Sequence, residues 1–279
     1  MTLTGHDTTA TVEKTRAKIG TAWIGRNLSW LEVLMLETFV MTGHEVTLFS
    51  DAPESMPQID GVKVANMREV FDYEDNERDH MPAAAFVDLF RLNMIAKTGL
   101  TWVDTDVVST HPLELWNGYL LVRDGADDND HVTNAFLCLP HNSPALVQML
   151  EEVQTKDLDY KWARHGIRKQ IFELPPEERF IGASRISRQV YGPSYVSSRL
   201  VEHSEFAMAR PKALLDAVPW DLTDLFFDPK GGCNNWFTNE TVGAHLALSQ
   251  MRKRHINKGP QPGSFLHTLQ EKVKAFRAG

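Results

Sequence analysis

Apolar and polar positions follow two different periods along this chain. Residues 17–24 form a short apolar run that stops at Gly25, and residues 45–50 (Glu45-Val46-Thr47-Leu48-Phe49-Ser50) form another; both read as strands. Between them, Ser29-Trp30-Leu31-Glu32 has the spacing of a capping box. In that arrangement a hydroxyl and a carboxylate satisfy the free amides of a helix start. Leu28 and Val33 stand where a hydrophobic staple would close it. The helix runs to about Met41 and stops at Gly43, a residue suited to the left-handed C-terminal position. Strand, helix and strand with short links predict a βαβ unit, and with it a parallel sheet.

Residues 66–80 are rich in charge and read as a loop or a short helix. Met81-Pro82 opens a second helix over 83–97, because Phe86, Leu89, Phe90 and Met94 recur at helical spacing; Thr98-Gly99 ends it. Residues 100–103 make a buried strand that runs into Asp104. A further strand is predicted over 132–139 and a helix over 143–153. From 154 to about 200 the pattern is helical and charged, broken at Leu174-Pro175-Pro176 and Gly192-Pro193; this predicts a helical insertion beside the sheet. Gly231-Gly232-Cys233-Asn234-Asn235 reads as a flexible loop, 241–255 as a helix, and the last twenty residues as a loose terminal helix. There is no internal repeat. The expected fold is α/β: one domain over 1–279, with a core at about 17–150, the insertion at about 151–205 and a C-terminal segment at about 206–260.

Composition narrows the function classes. The chain has 279 residues, 42% hydrophobic, enough for a substantial core. A formal net charge of −8 argues against a nucleic-acid partner, since no basic excess is present to neutralise phosphates. The two cysteines, Cys138 and Cys233, form no zinc pattern. The polar residues 1–18 lack the apolar centre of a signal peptide, and no run of about 18 apolar residues occurs. A cytoplasmic protein is expected, free of membrane spans, for which peripheral attachment to a membrane stays open.

The chemistry concentrates at Trp102-Val103-Asp104-Thr105-Asp106-Val107-Val108. Two carboxylates two apart at a strand end point to the same side. Ligands of open α/β sheets sit at the carboxyl ends of strands, and hard oxygen donors there suit Mg²⁺ or Mn²⁺. A lone Asp-x-Asp is a common turn, but here both flanks are apolar. Upstream, Asp88 and Arg91 lie three apart on a helix face. They read either as a pair for sugar hydroxyls or as a surface ion pair, and spacing does not choose.

Several ordered blocks together resemble the DXD-type retaining glycosyltransferases. These include the Och-type yeast Golgi mannosyltransferases, the α1,4-galactosyltransferases and, more distantly, the glucosylating domains of large clostridial toxins. Val87-Asp88-Leu89-Phe90-Arg91, Thr98-Gly99 and Trp102-Val103-Asp104-Thr105-Asp106 are similar to that family's "SDxxR…GGxYxDxD" block. Trp23-Ile24-Gly25, Leu28-Ser29-Trp30-Leu31-Glu32 and Gly43-His44-Glu45-Val46 resemble its first βαβ unit. Asn134-Ala135-Phe136 with Pro144 resembles its "NxF…P" segment, and Gly192-Pro193 its "TGP". The likeness covers about 23–193 and continues loosely to His245. Leu100 stands in place of the second glycine, Trp102 in place of the tyrosine, and Ala247 in place of the tryptophan of an "HxW" segment.

The resemblance implies a GT-A, Rossmann-like nucleotide-sugar-binding fold and a metal-dependent retaining hexosyl transfer. The donor would be a nucleotide-sugar, with UDP-sugars favoured, the metal Mn²⁺ or Mg²⁺, and the acceptor a glycan or glycoconjugate, as in polysaccharide biosynthesis. It assigns Trp23 to stacking on the donor base, where a core tryptophan is the plainer reading. Asp88 and Arg91 would hold the donor sugar, and Asn134 would face the sugar or acceptor pocket. Asp104 would contact sugar or ribose and share the metal, Asp106 would ligate the metal directly, and His245 would be a further ligand. Apart from the resemblance, Asn234 and Asn235 are candidates for a loop closing over the donor, and Arg252-Lys253-Arg254 reads as a solvated helix end, with phosphate or an anionic acceptor as the alternative partners. Two rivals share the paired aspartates: a nucleotidyltransferase, which GxxxxGK[ST] and GxGxxG motifs would have supported but which are absent here, and a non-catalytic nucleotide-sugar-binding protein.

Overall fold

The computed structural model describes residues 12–125, 131–247 and 259–279. In chain order the elements are β1 (Lys14–Arg16), β2 (Ile19–Trp23), α1 (Trp30–Met41), β3 (Val46–Ser50), β4 (Val62–Asn66), α2 (Asp75–His80), α3 (Ala83–Thr98), β5 (Thr101–Val103) and β6 (Val107–Ser109). There follow β7 (Glu114–Trp116), β8 (Leu120–Arg123), β9 (Val132–Cys138), α4 (Pro144–Thr155), α5 (His165–Phe172), α6 (Arg179–Ile186), α7 (Pro193–Glu202), β10 (Gly243–His245) and α8 (Phe265–Ala278). The main sheet has the order β4-β3-β2-β5-β9-β8. β4, β3, β2 and β5 are parallel, while β9 runs antiparallel to both β5 and β8. This is the expected α/β architecture.

Local chemistry explains the first unit. The Ser29 amide donates to the Glu32 carboxylate at 2.7 Å, and the Ser29 hydroxyl accepts from the Leu31 amide, so the capping box is formed. Gly43 has φ +83°, the left-handed region that only glycine enters without strain. The strands then sort their side chains by alternation. Ile19, Leu48, Val103 and Phe136 pack with α1 and α8 on one face. Ala22, Phe49, Trp102 and Leu137 pack with α3, α4 and α7 on the other. A Cβ on Gly20 would lie 2.4 Å from the Met94 sulfur, so the missing side chain lets α3 approach the sheet.

Residues 66–80, read as a loop or a short helix, hold a single turn of 3-10 helix (Met67–Glu69) and α2, and 62–66, to which the sequence pattern assigns no element, form a strand, β4. Three expectations need revision. The glycine-rich 231–235 stretch is a compact 3-10 turn, Gly232–Trp236. The terminal helix is firmly docked: Leu266, Leu269 and Val273 are buried, and Arg277 pairs with Glu37 at 2.7 Å. The 241–255 helix is contradicted over its described part, where Gly243–His245 is β10, paired antiparallel with β6. Val242 and Leu246 mimic helical spacing, but the backbone bonds go sideways. Val242 N–H donates to Leu214 O at 2.9 Å, and Leu246 N–H to Asp106 O at 2.8 Å. The remainder of that predicted helix, with Arg252-Lys253-Arg254, lies outside the described residues. Cys138 and Cys233 are both buried and free. Among the described residues no helix is long and apolar enough to cross a membrane.

The sheet winds from β2 through β3 to β4 in one direction, and the chain then returns to place β5 on the other side of β2. The carboxyl ends of β2 and β5 therefore flank the point where the strand order reverses, the place where open α/β sheets leave a crevice. His44 ties down the opposite end. Its Nδ1–H donates to Ala17 O at 2.7 Å, and its Nε2 accepts from the Leu113 amide at 3.0 Å. A carbonyl only accepts and an amide only donates, so these partners select the neutral ring. Burial, partly opposed by the Ala17 bond, lowers the His44 pKa below 6.5. The unfolded chain thus takes up a proton first as pH falls, and this contribution to stability is full above about 6.5 and declines below it. His44→Ala is expected to lower stability by about 2–4 kcal/mol at pH 7.5, since it strands two buried backbone groups. In denaturant titrations the gap between wild type and variant should narrow from pH 7.5 to 5.5. A constant gap would contradict the neutral buried ring.

Candidate active site

A cleft of about 500 Å³ opens at the switch point. Its walls include Trp23 and Ile24 from the end of β2, Asp88 and Arg91 from α3, Asp104, Thr105 and Asp106 after β5, and Asn134 from β9. Arg188, Gln189 and Pro193 close one side from the turn between α6 and α7. Trp23 is half-buried: it packs on the α1 side of the core and lines the cleft.

The floor is a knot of charge. Asp88 and Arg91 are both buried and meet at 2.9 Å, so this is an ion pair within one helix but not a surface one. Arg91 Nη1 also donates to the Asn134 carbonyl, and Nη2 lies 3.5 Å from Asp104. The guanidinium stands over the Trp102 ring, 4.8 Å from its centroid. The Asn134 amide donates to Asp88 at 2.9 Å, and the Trp102 indole donates to Asp104 at 2.7 Å. A Cβ on Gly192 would lie 3.1 Å from an Asp88 oxygen, so the α6–α7 turn passes close over this pair. Arg91 Nε is buried and has no hydrogen-bond partner among the described residues.

The second cluster lies beside it. Asp104 to Val107 is a turn closed by Val107 N–H donating to Asp104 O at 3.1 Å, so the two carboxylates sit on a turn and not on the strand itself. β10 pairs His245 with Val107 across the ladder. One ligand atom each from Asp104, Asp106 and His245 then fall within 4.8 Å of one another. His245 Nε2 is 3.5 Å from Asp106. Its Nδ1 is 3.5 Å from Asp216, and its ring meets Phe136 edge-on at 5.9 Å. A Cβ on Gly243 would lie 2.5 Å from Val108 O, so the glycine permits the close approach of β10 that delivers His245.

Burial and mutual repulsion set the protonation. Burial pushes the Asp88 carboxyl up to about 6, against the pull of Arg91, with Asp104 adding to the rise and Asn134 opposing it. Burial also raises Asp104; Arg91 opposes it and Asp106 reinforces it. Burial alone would lower His245, but the Asp106 and Asp216 carboxylates outweigh it and hold the ring well above 6.5. Two carboxylates and an imidazole are a fitting donor set for a divalent cation such as Mn²⁺.

The structure brings Trp23, Asp88, Arg91, Asp104, Asp106 and Asn134 to one cleft, with His245 joining the two aspartates. Asn234 instead sits in a separate hollow with Thr110, Phe265 and Thr268, away from these walls. Sequence reasoning misses Asp216, Arg188 and Gln189, because none lies in a motif and only the fold brings them near.

No protein-family model matches the sequence, and no curated protein matches it. Among solved structures the chain is similar to "PaToxG Glycosyltransferase", with TM-score 0.45 and 13% identity over 96% of this chain and 88% of that one. It is also similar to a structure described as that of a transferase mutant carrying two cysteine-to-serine changes, with TM-score 0.37 and 11% identity over 62% of this chain and 88% of that one. These likenesses are too loose to carry residue roles, which rest on the geometry above.

Arg91→Ala is expected to lower stability by about 3–5 kcal/mol, because it leaves buried carboxylates without their cation. Arg91→Lys should recover only part of this, since one ammonium does not reproduce the planar fork. In wild type the Asp88 carboxyl should titrate near pH 6 by ¹³C chemical shift; a midpoint in the ordinary aspartate range would contradict the buried knot.

Proposed function

We propose that the chain is a metal-dependent glycosyltransferase of the retaining type. It moves a hexose from a nucleotide-sugar, with a UDP-sugar favoured, to a glycan or glycoconjugate acceptor. The observation that carries this reading is the meeting of Asp104, Asp106 and His245 beside the Asp88–Arg91–Asn134 knot, in one cleft at the switch point of the sheet. The motif resemblance adds the reaction class.

Asp104, Asp106 and His245 would hold Mn²⁺ or Mg²⁺. When bound, the ion supplies positive charge to the donor's diphosphate as it leaves. Trp23, half-buried at the end of β2, offers an aromatic face to the base. Asp88, Arg91 and Asn134 line the same cleft with fixed donors and acceptors for sugar hydroxyls, and their mutual bonds hold them in place before substrate arrives. Arg188 and Gln189 border the cleft from the insertion.

The cleft carboxylates all have other duties. Asp88 is engaged by Arg91 and Asn134, and Asp104 and Asp106 face the cation site. We take displacement on one face as the step: the bond from the anomeric carbon to the phosphate oxygen breaks, the acceptor oxygen bonds to that carbon from the same side, and its proton passes to the departing phosphate.

The test is nucleotide-sugar turnover with Mn²⁺ across UDP- and GDP-sugars, read as nucleoside diphosphate release. One base should be preferred, chelator should abolish release, and Asp106→Ala should lower it at least about a hundredfold. Thermal unfolding should show the same preference: ligand at about a hundred times its dissociation constant adds roughly 2.7 kcal/mol, or several degrees. Pyrophosphate release from a nucleoside triphosphate would instead favour a nucleotidyltransferase. Donor binding without any turnover would favour a binding protein.

A further inference from the structure

His245 reaches the two aspartates from a separate segment, and a ring on a short strand can rotate and tilt unless something fixes it. The structure supplies that restraint from behind. Residues 214–216 run alongside β10, with His245 N–H donating to Leu215 O at 2.9 Å and Val242 N–H donating to Leu214 O at 2.9 Å. The next residue, Asp216, is buried, and its carboxylate lies 3.5 Å from His245 Nδ1. Lys212, one helical turn earlier, holds the other Asp216 oxygen at 3.3 Å. The Phe136 ring packs against the imidazole, nearly perpendicular to it and 5.9 Å away between centroids. Nε2 is thereby turned toward Asp106, at 3.5 Å.

We propose that Asp216 is the positioning residue of His245: it takes the Nδ1–H, fixes the ring's tautomer and orientation, and so presents Nε2 as a ligand to the divalent cation held with Asp104 and Asp106. The inference rests on the metal-site reading above. Ligating histidines commonly donate their second ring N–H to a carboxylate, and loss of that partner typically costs about 10–100-fold in metal affinity. Lys212 acts one step further out, restraining the Asp216 carboxylate. No sequence motif marks either residue; the pairing exists because two backbone segments, about thirty residues apart, run side by side.

The experiment is Mn²⁺ binding to the full chain, measured by calorimetry and by the electron paramagnetic resonance signal of free Mn²⁺, with no sugar nucleotide present. Wild type, Asp216→Ala, Asp216→Asn, His245→Ala and the double variant Asp216→Ala/His245→Ala are compared. Asp216→Ala should weaken binding about 10–100-fold. Asp216→Asn, whose amide oxygen still accepts from Nδ1–H, should recover part of the loss. In the His245→Ala background Asp216→Ala should change affinity less than about twofold, because its effect runs through the ring. Metal-free melting curves identify any variant that fails to fold, and the near-isosteric Asp216→Asn then carries the comparison. Affinity within about twofold of wild type for both Asp216 variants would overturn the proposal while leaving the metal site intact. An equal loss with and without His245 would show a merely structural role and also overturn it. If wild type binds no Mn²⁺, or binds it as well after Asp106→Ala, the metal-site reading itself fails and this inference fails with it.

Discussion

Arg91 is the charge around which the cleft is organised. Removing an arginine from water costs several kcal/mol, and only good geometry returns it. Here the guanidinium touches Asp88 on its own helix, the Asn134 carbonyl on β9, Asp104 after β5 and the Trp102 ring beneath it. Those partners come from α3 itself, from β5 and the turn that follows it, and from β9 farther along the chain. The same bonds that satisfy the cation therefore fix the relative placement of α3, β5 and β9 at the cleft. Asp88 and Asp104, each raised by burial, depend on Arg91 for what ionisation they retain.

The backbone does the rest. The strand order leaves a crevice between the ends of β2 and β5, and the turn after β5 puts Asp104 and Asp106 at its lip. β10 then joins β6, the strand that continues from this turn, so His245 arrives in register with Val107. Fixed groups with little freedom to relax are what charge stabilisation in a reaction requires, since their ordering is complete before substrate binds. Gly192, with no side chain, lets the α6–α7 turn pass close over Asp88.

Much of this is legible in the sequence where the signal is local. The capping box at Ser29, the left-handed Gly43 and Gly99, the helical spacing of Phe86 to Met94 and the strand before Asp104 all act within a few residues. What fails depends on distant partners. β10 reads as helix because Val242 and Leu246 have helical spacing, and the bonds that override it go to residues 214 and 106. β4 escapes notice since its register partner β3 defines it as much as its own residues do. The buried state of the Asp88–Arg91 pair cannot be told from a surface pair by spacing, because β9 and the α6–α7 turn bury it. Asp216 carries no signal at all until the 214–216 segment is seen beside β10.

Everything proposed for the cleft depends on Asp104, Asp106 and His245 forming one cation site. Anomalous diffraction from crystals soaked in Mn²⁺, collected on either side of the manganese edge, tests this most directly. A single strong anomalous peak is expected within coordination distance of Asp106 and His245, and its loss is expected in crystals of Asp106→Ala. Ordered crystals with no peak there, or with manganese bound only elsewhere, would contradict the site.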